Sequence, residues 1–297
     1  MNLTTEQANP VSANIDQLTT LDAVSLINRE DTKVAAAVRE ALPQIAVAVD
    51  VIAEALAKGG RLFYIGAGTS GRLGVLDAVE TVPTFSAAPD LVQGLIAGGS
   101  DALTQSIEGA EDRPEGAGED LIACELTSKD VVCGIAASGR TPYVVGGLEY
   151  ANALGAKTIA IACNAHSAIG QLADISISVD VGPEIIAGST RMKAGTAQKM
   201  ILNTLSTAAM IRLGKVYGNL MVDVKVSNQK LAERACGLVM RLTGTDDRQA
   251  GTLLARANNE VKSAVVMSRL GVDYDEAHRL LGQANGKLRE VIGDDPV

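Results

Sequence analysis

The chain has 297 residues, which allows one large domain or two smaller ones, and apolar residues make up 47% of it, enough for a substantial buried core. Aromatic residues make up only 2%, so stacking of bases or sugar rings on exposed aromatic side chains is disfavoured. The formal net charge of −9 and the short, mixed charge clusters argue against nucleic acid or an anionic membrane as partner.

Cysteine and histidine are too sparse and scattered for a metal site of the usual kind. The four cysteines stand at positions 124, 133, 163 and 236 without metal-ligand spacing, and histidine occurs only twice. We expect buried free thiols in a reducing compartment. The N-terminal sequence has no basic region followed by an apolar run, and no apolar stretch is long enough to span a bilayer. The expected location is the cytoplasm.

The first half of the chain alternates helices and short apolar strands. Apolar residues recur at three- and four-residue spacing over residues 21–57, which predicts helix, and a strand follows at 61–65 with a helix at 72–79. Further strands are predicted at 91–97, 130–136, 157–162 and 174–179. Continuous apolar strands separated by helices are typical of a parallel sheet covered on both faces, so the predicted fold class is α/β.

The last third of the chain is predicted to be helical. A long apolar helix is expected over 189–213, and helical patterns at 246–257, 259–269 and 274–281 follow with no strand between them. We therefore expect an N-terminal helical segment at 1–52, an α/β domain at 53–216 and a C-terminal helical module at 217–297.

Two loops that follow predicted strands carry glycines and hydroxyl side chains. The first loop, residues 66–71, contains Gly68, Thr69, Ser70 and Gly71, and the second loop, residues 138–142, contains Ser138, Gly139, Arg140, Thr141 and Pro142. In an open parallel sheet, ligands bind beyond the carboxyl ends of the strands. Glycines admit a ligand close to the backbone, and free amides at a helix start attract an anion. In the second loop, Thr141 is predicted as helix N-cap and Pro142 as first helical residue.

The first loop also has features of nucleotide-binding loops. It matches the glycine spacing of a dinucleotide fingerprint, but the second predicted strand ends without the acidic residue that would bind a ribose. The Gly-Lys-Ser/Thr ending of a nucleotide P-loop is also missing, and ordinary turn glycines are common. The second hydroxyl-bearing loop at the same sheet edge favours a phosphate site.

Two carboxylates stand near these loops in the sequence. Glu80 is predicted to end the helix after the first loop, and Glu111 follows the second strand. Paired carboxylates divide acid and base roles when their surroundings separate their pKa values. The pattern alone does not select this pair, since Asp77, Glu108 and Asp112 are comparable candidates and most such residues are solvated.

At these residues the chain closely resembles the N-acetylmuramic acid 6-phosphate etherases, which carry a sugar isomerase (SIS) domain. The blocks that carry the resemblance are 66–74 (GAGTSGRLG), 108–112 (EGAED), 134–143 (GIAASGRTPY), 188–196 (GSTRMKAGT) and 218–223 (GNLMVD). Together they extend over most of the chain and are far more specific than one glycine loop. The resemblance implies a SIS fold that ends in a small module similar to ubiquitin-associated domains, and a homodimer.

The resemblance also implies a lyase that removes D-lactate from its phosphosugar substrate and leaves N-acetylglucosamine 6-phosphate. The family's catalytic acid falls on Glu80, and its catalytic base, which removes the C2 proton, falls on Glu111. No metal or redox cofactor is implied. Substrate contacts are expected from both loops and from Ser189 and Lys193, whose alternative roles are helix cap and surface charge.

Two other functions remain open from the sequence. A non-catalytic protein that senses sugar phosphates would keep both loops but would not need Glu80 and Glu111. An aldose–ketose isomerase on the same fold would share removal of a C2 proton, although no histidine lies near the loops.

Overall fold

The computed structural model describes residues 3–226 and 228–294. The chain forms two compact units: the first comprises residues 1–79 and 90–206, and the second comprises 80–89 and 207–297. The predicted boundaries after residues 52 and 216 stay predictions, because compact units group contacts and do not mark evolutionary modules. No helix in the described ranges combines the length and apolar character needed to cross a membrane.

The first unit contains a five-stranded parallel sheet. Its strands are β1 (Leu62–Gly66), β2 (Val92–Ile96), β3 (Val131–Ile135), β4 (Lys157–Ala162) and β5 (Ile175–Ser178), in the order β2-β1-β3-β4-β5. All neighbours pair in parallel, which confirms the predicted sheet. Every residue of β1 and β3 is buried, as continuous apolar strands require. Gly66 pairs with Ile135, so both loops begin at the same level of the carboxyl edge.

Eight α-helices begin in the described residues of the first unit. They are α1 (Thr20–Asp31), α2 (Val34–Glu40), α3 (Leu42–Ala57), α4 (Gly68–Phe85), α5 (Gly116–Ala123), α6 (Pro142–Leu154), α7 (Ala168–Leu172) and α8 (Lys193–Arg212). The single helical stretch predicted over 21–57 is three helices. One break precedes α3, where Pro43 stands in the first turn and cannot continue an earlier helix.

Three predicted helix boundaries are wrong. α4 begins at Gly68 rather than at residue 72, so Thr69, Ser70 and Gly71 lie in its first turn. It also continues to Phe85 with Pro83 inside it, so Glu80 does not end the helix. α8 starts at Lys193, later than the predicted residue 189.

The second unit contains α9 (Gln229–Thr243), α10 (Asp247–Arg256), α11 (Val261–Leu270), α12 (Tyr274–Gln283) and α13 (Leu288–Ile292). The side chains of Asn228, Asp246 and Asp273 cap three of these helices at their N-termini. Val265 and Ala264 of α11 are fully buried among apolar side chains of the other helices. The helical prediction is confirmed for the described residues, and α13 is an addition to it.

All four cysteines are free thiols. Cys133 and Cys163 are buried, and burial raises the pKa of Cys163 to about 12, which keeps its thiol protonated and unreactive. Cys124 and Cys236 are partly exposed, so the expectation of burial is met by only two of the four.

Candidate active site

A cavity of about 540 Å³ lies at the carboxyl edge of the sheet, within the first unit. Both loops contribute to its wall, together with the 3-10 turn at 110–112 and the segment before α8. We call it the edge cavity; it is lined by Glu6, Ala67, Gly68, Thr69, Ser70, Glu111, Asp112, Ile135, Ala136, Ala137, Ser138, Arg140, Thr141, Pro142, Gly188 and Thr190. The prediction that the two loops lie at one edge of the sheet is therefore confirmed.

In the first loop, strand β1 leads almost directly into helix α4. Only Ala67 separates β1 from α4, and Gly71 closes the first helical turn by donating its N–H to the Ala67 carbonyl at 3.2 Å. A Cβ on Gly71 would stand 2.7 Å from the Gly66 oxygen, so the turn requires glycine there. The N–H groups at the start of a helix lack partners within the helix and carry its positive dipole end. This loop therefore presents amides to the edge cavity.

The hydroxyl of Ser70 is already hydrogen bonded. Ser70 Oγ donates to Gln198 Oε1 on α8 at 2.9 Å, and both side chains are buried. Gln198 Nε2 is buried without any hydrogen-bond partner in the described part of the chain. Gln198 does not line the edge cavity and stands behind Ser70.

The second loop presents hydroxyls instead of amides. Gly139 donates its N–H to Ala136, and Arg140 donates its N–H to Ser138 Oγ at 3.4 Å. Thr141 is the N-cap residue and Pro142 begins α6, as predicted, but the Thr141 side chain makes no capping hydrogen bond. The Ser138 hydroxyl accepts a bond without spending its own hydrogen, so it can still donate.

Gly139 fixes the shape of the second loop. Its φ of +71° lies in the left-handed region, and an added Cβ would stand 2.2 Å from the Cβ of Ser167. The residue does not line the edge cavity itself, and the exposed Arg140 beside it does. Glycine is therefore needed here for backbone geometry.

An N-terminal segment, residues 3–17, supplies a wall that the sequence did not predict. Its Glu6 lines the edge cavity and is exposed. Next to it, the buried Thr5 accepts a hydrogen bond from Asn164 Nδ2 at 3.0 Å and donates its N–H to Asn164 Oδ1 at 3.4 Å. Asn164 Nδ2 also donates to the carbonyl of Ala137, which directly precedes the second loop. The segment is thus held against the cavity.

Lys193 is not among the residues that line the edge cavity. It is 2% exposed, so the alternative of a surface charge is wrong. Its Nζ donates to Glu30 Oε2 at 2.8 Å and borders a separate cavity of about 280 Å³. Burial would raise the pKa of Glu30, but hydrogen bonds from Lys193, Lys33 and Asn9 lower it to about 2. Substrate contact by Lys193 stays a prediction.

The start of α8 is capped by a buried carboxylate. Glu184 is fully buried, and its two oxygens accept the N–H groups of Lys193 and Ala194 at 3.0 and 2.9 Å. Negative charge at a helix N-terminus is stabilising. Ser189 lies four residues before the start of α8 and so does not cap that helix, and its predicted substrate contact stays a prediction; its neighbours Gly188 and Thr190 line the edge cavity.

The candidate carboxylates occupy different surroundings. Glu111 and Asp112 both line the edge cavity, and Glu111 also lines a neighbouring cavity with Glu108. Asp77 is buried and accepts hydrogen bonds from Tyr64, Asn203 and Ser206, so its oxygens are occupied by the fold. Glu80 is exposed on α4, belongs to the second unit and is not among the residues that line the edge cavity. The catalytic pair therefore stays a prediction.

Sequence reasoning missed Glu6, Asn164 and Gln198. Gln198 carried a detectable signal, because it is a polar residue within the apolar pattern of the helix that follows the 188–196 block. Glu6 and Asn164 carried none, since a lone carboxylate or amide is usually solvated. In the described residues no group of three or more His, Cys, Asp or Glu side chains is arranged to hold a metal ion.

Comparison with known proteins places the chain in a family. Three domain models match: the N-terminal SIS domain of glucokinase regulatory protein at residues 44–152, the SIS domain at 114–208, and the C-terminal lid domain of glucokinase regulatory protein at 218–270. The N-acetylmuramic acid 6-phosphate etherase of Lactobacillus gasseri is 54% identical and covers 98% of each chain. The chain belongs to the N-acetylmuramic acid 6-phosphate etherase family. The etherase of Pasteurella multocida is also 54% identical, over 98% of this chain and 96% of that protein.

A solved structure supports the fold independently. The phosphoheptose isomerase from Francisella tularensis matches with a TM-score of 0.51 at 18% identity, over 65% of this chain and 100% of that chain. At this identity the likeness concerns the fold alone. With the SIS domain match and the five-stranded parallel sheet, it confirms the predicted SIS fold.

Proposed function

We propose that this protein is a carbon–oxygen lyase that cleaves the D-lactyl ether of N-acetylmuramic acid 6-phosphate. The products are N-acetylglucosamine 6-phosphate and D-lactate, formed during recycling of cell-wall sugars. The observation that carries the proposal is 54% identity to etherases along 98% of the chain. The edge cavity supports it, since it combines anion-binding loops with carboxylates.

The two loops bind the phosphate of the substrate. Helix-start amides of Gly68, Thr69 and Ser70 and the hydroxyls of Ser138 and Thr141 supply donors without a cluster of lysines. Local donors of this kind suit a protein whose net charge of −9 repels anions at long range. The bound phosphate is a remote handle that orients the reacting carbons.

Glu111 acts as the base and Glu80 as the acid. The sugar first opens to its C1 aldehyde, which makes the C2 proton acidic. Glu111 removes that proton, the C2–H electron pair forms the C2=C3 bond, and the C3–O bond breaks while Glu80 gives a proton to the departing lactate oxygen. Water then adds to C3 and a proton returns to C2, which gives the product. This assignment of the two roles follows from the family resemblance.

The enzyme works in the cytoplasm as a homodimer. The composition supports the first statement and the family resemblance supports the second. Sedimentation velocity on the purified protein tests the second, and a single species at the monomer mass of 30.6 kDa would contradict it.

Release of lactate from N-acetylmuramic acid 6-phosphate tests the proposal directly. We expect the wild type to release D-lactate, and Glu80→Gln and Glu111→Gln each to lower kcat by about 100-fold or more, as expected when a general acid or base is lost. Glu149→Gln is the matched control, because Glu149 is an exposed glutamate on α6 that does not line the edge cavity.

The outcomes separate the alternatives. No lactate from the wild type would overturn the etherase proposal, and retained phosphosugar binding would then favour a sensor of sugar phosphates. Full activity of both glutamine variants would overturn the catalytic pair. Glu108→Gln and Asp112→Asn then test the remaining carboxylates near the loops.

A further inference from the structure

Gln198 combines an occupied acceptor with an unoccupied donor. Its Oε1 accepts the hydrogen of Ser70 at 2.9 Å, while its Nε2 has no partner in the described residues, and its side chain is 1% exposed. A buried donor without a partner is costly and rare in proteins. The oxygen of this amide accepts one hydrogen bond, from the Ser70 hydroxyl of the first loop. This asymmetry calls for a functional account.

The bond to Gln198 takes away the hydrogen that Ser70 would give to an anion. A serine hydroxyl has one hydrogen and two lone pairs, and an amide can meet it either as acceptor or as donor. When Oε1 faces Ser70, the serine hydrogen points to Gln198. When the amide turns by half a rotation, Nε2 donates to Ser70 Oγ and the serine hydrogen is released toward the edge cavity.

We propose that Gln198 is a positioning residue that switches Ser70 between these two states when an anionic ligand arrives. In the free protein, Oε1 holds the serine hydrogen. With phosphate in the edge cavity, Nε2 donates to Ser70 Oγ and Ser70 donates to a phosphate oxygen, which turns a neutral hydrogen bond into a charge-assisted one. The inference rests on the proposed function only in taking a phosphate group as the ligand.

Ser138 shows what the alternative arrangement looks like. Its oxygen accepts the N–H of Arg140, so its hydrogen is free without any rearrangement. Both serines line the edge cavity, yet only Ser70 is backed by a side chain that can act as donor or acceptor. Of the two loops, only the first can therefore switch between two hydrogen-bonding arrangements.

The test is a double-mutant cycle on the dissociation constant of inorganic phosphate, measured by calorimetry with the full chain. Gln198→Glu keeps the shape and the acceptor but, when ionised, cannot donate, so we expect phosphate to bind about 30-fold more weakly. Gln198→Met keeps the volume and neither accepts nor donates strongly, so Ser70 keeps its hydrogen and we expect less than a threefold change. Ser70→Ala alone is expected to weaken binding about fivefold.

The cycle separates the switch from simple charge repulsion. In the Ser70→Ala background, Gln198→Glu should weaken phosphate binding by only about fivefold, since the lost donation no longer matters. An equal loss in both backgrounds would overturn the proposal, because Gln198→Glu would then act without Ser70. It would also be overturned if Gln198→Met weakened binding as much as Gln198→Glu, since Gln198 would then matter for packing.

The readout does not depend on the etherase reaction. If the wild type released no lactate but the cycle showed coupling, the proposed function would fail while this inference stood. If lactate were released and Ser70→Ala left both the phosphate dissociation constant and the substrate KM unchanged, the switch would fail while the proposed function stood.

Discussion

The two loops at the carboxyl edge both carry glycine and hydroxyl residues but offer different sets of donors. The first loop presents the unpaired amides of a helix that begins immediately after β1, and the hydrogen of its Ser70 is held by Gln198. In the second loop the amides of Gly139 and Arg140 are already bonded, and the hydroxyls of Ser138 and Thr141 are open. Loops of similar composition can therefore differ in chemistry, because the fold determines which N–H and O–H groups are free to donate to a ligand.

The loops also depend on different supports. The first loop is backed by α8 through Gln198, and the start of α8 is held by Glu184 and by the Lys193–Glu30 ion pair. The second loop is held by Asn164, through the Ala137 carbonyl, and lies against Ser167. Different side chains hold the two loops, so each support is tested by its own substitutions.

The largest expected effect comes from removing the support of α8. Glu30→Gln leaves the ammonium of the buried Lys193 without its anionic partner, and we expect a loss of about 4 kcal/mol in the free energy of unfolding at neutral pH. Urea unfolding measures it. Glu54→Gln is the control, because Glu54 pairs with Lys58 on the surface and should change stability little.

The same substitution predicts a pH dependence. The pKa of Glu30 is lowered from 4.5 to about 2, so the folded state favours the carboxylate. Its contribution to stability is complete above pH 4.5 and is lost as the pH falls from about 4.5 toward 2. The difference in unfolding free energy between wild type and Glu30→Gln should therefore shrink over this window. If this difference stayed constant over the window, the ionised carboxylate of Glu30 would not be its source.

The second loop is tested by Gly139→Ala, with Gly68→Ala as its counterpart in the first. At Gly139 both the φ of +71° and a Cβ 2.2 Å from that of Ser167 oppose alanine, whereas Gly68 has a φ of +53° but nothing within 4 Å of an added Cβ. We expect Gly139→Ala to lower the free energy of unfolding by about 3 kcal/mol, because backbone strain and overpacking add together. Gly68→Ala should lower it by about 1 kcal/mol, through backbone strain alone. Equal losses would mean that Ser167 moves aside easily.

The sequence predicted the sheet well because buried parallel strands appear in the sequence as continuous runs of apolar residues. β4 was predicted residue for residue, and the other four strands within about one residue at each end. The position of both loops at one edge follows from parallel pairing and needed no side-chain information. Helix starts were predicted less well: glycine at residues 68 and 71 was interpreted as loop, whereas the backbone is already helical there.

The details of the candidate site depended on distant pairs that no local pattern reveals. Gln198 meets Ser70 across 128 residues, and Asn164 meets Thr5 across 159. Lys193 illustrates the same limit. A lysine at a helix start is usually solvated, whereas this one is buried and paired with a glutamate 163 residues away. Family blocks marked these segments as important without stating which side chains face the cavity.

The smallest expected effect, and the sharpest test of the comparison, is the loss of one hydroxyl from each loop. Ser138→Ala removes a hydrogen that is free to bind phosphate, and we expect the KM for N-acetylmuramic acid 6-phosphate to rise about tenfold with kcat unchanged. Ser70→Ala removes a hydrogen that must first leave Gln198, so the rise should be about fivefold. Steady-state lactate release measures both, and unfolding in urea confirms that neither variant is destabilised enough to matter. If Ser70→Ala cost more than Ser138→Ala, the first loop would be the principal hydroxyl donor, and the division into an amide loop and a hydroxyl loop would be wrong.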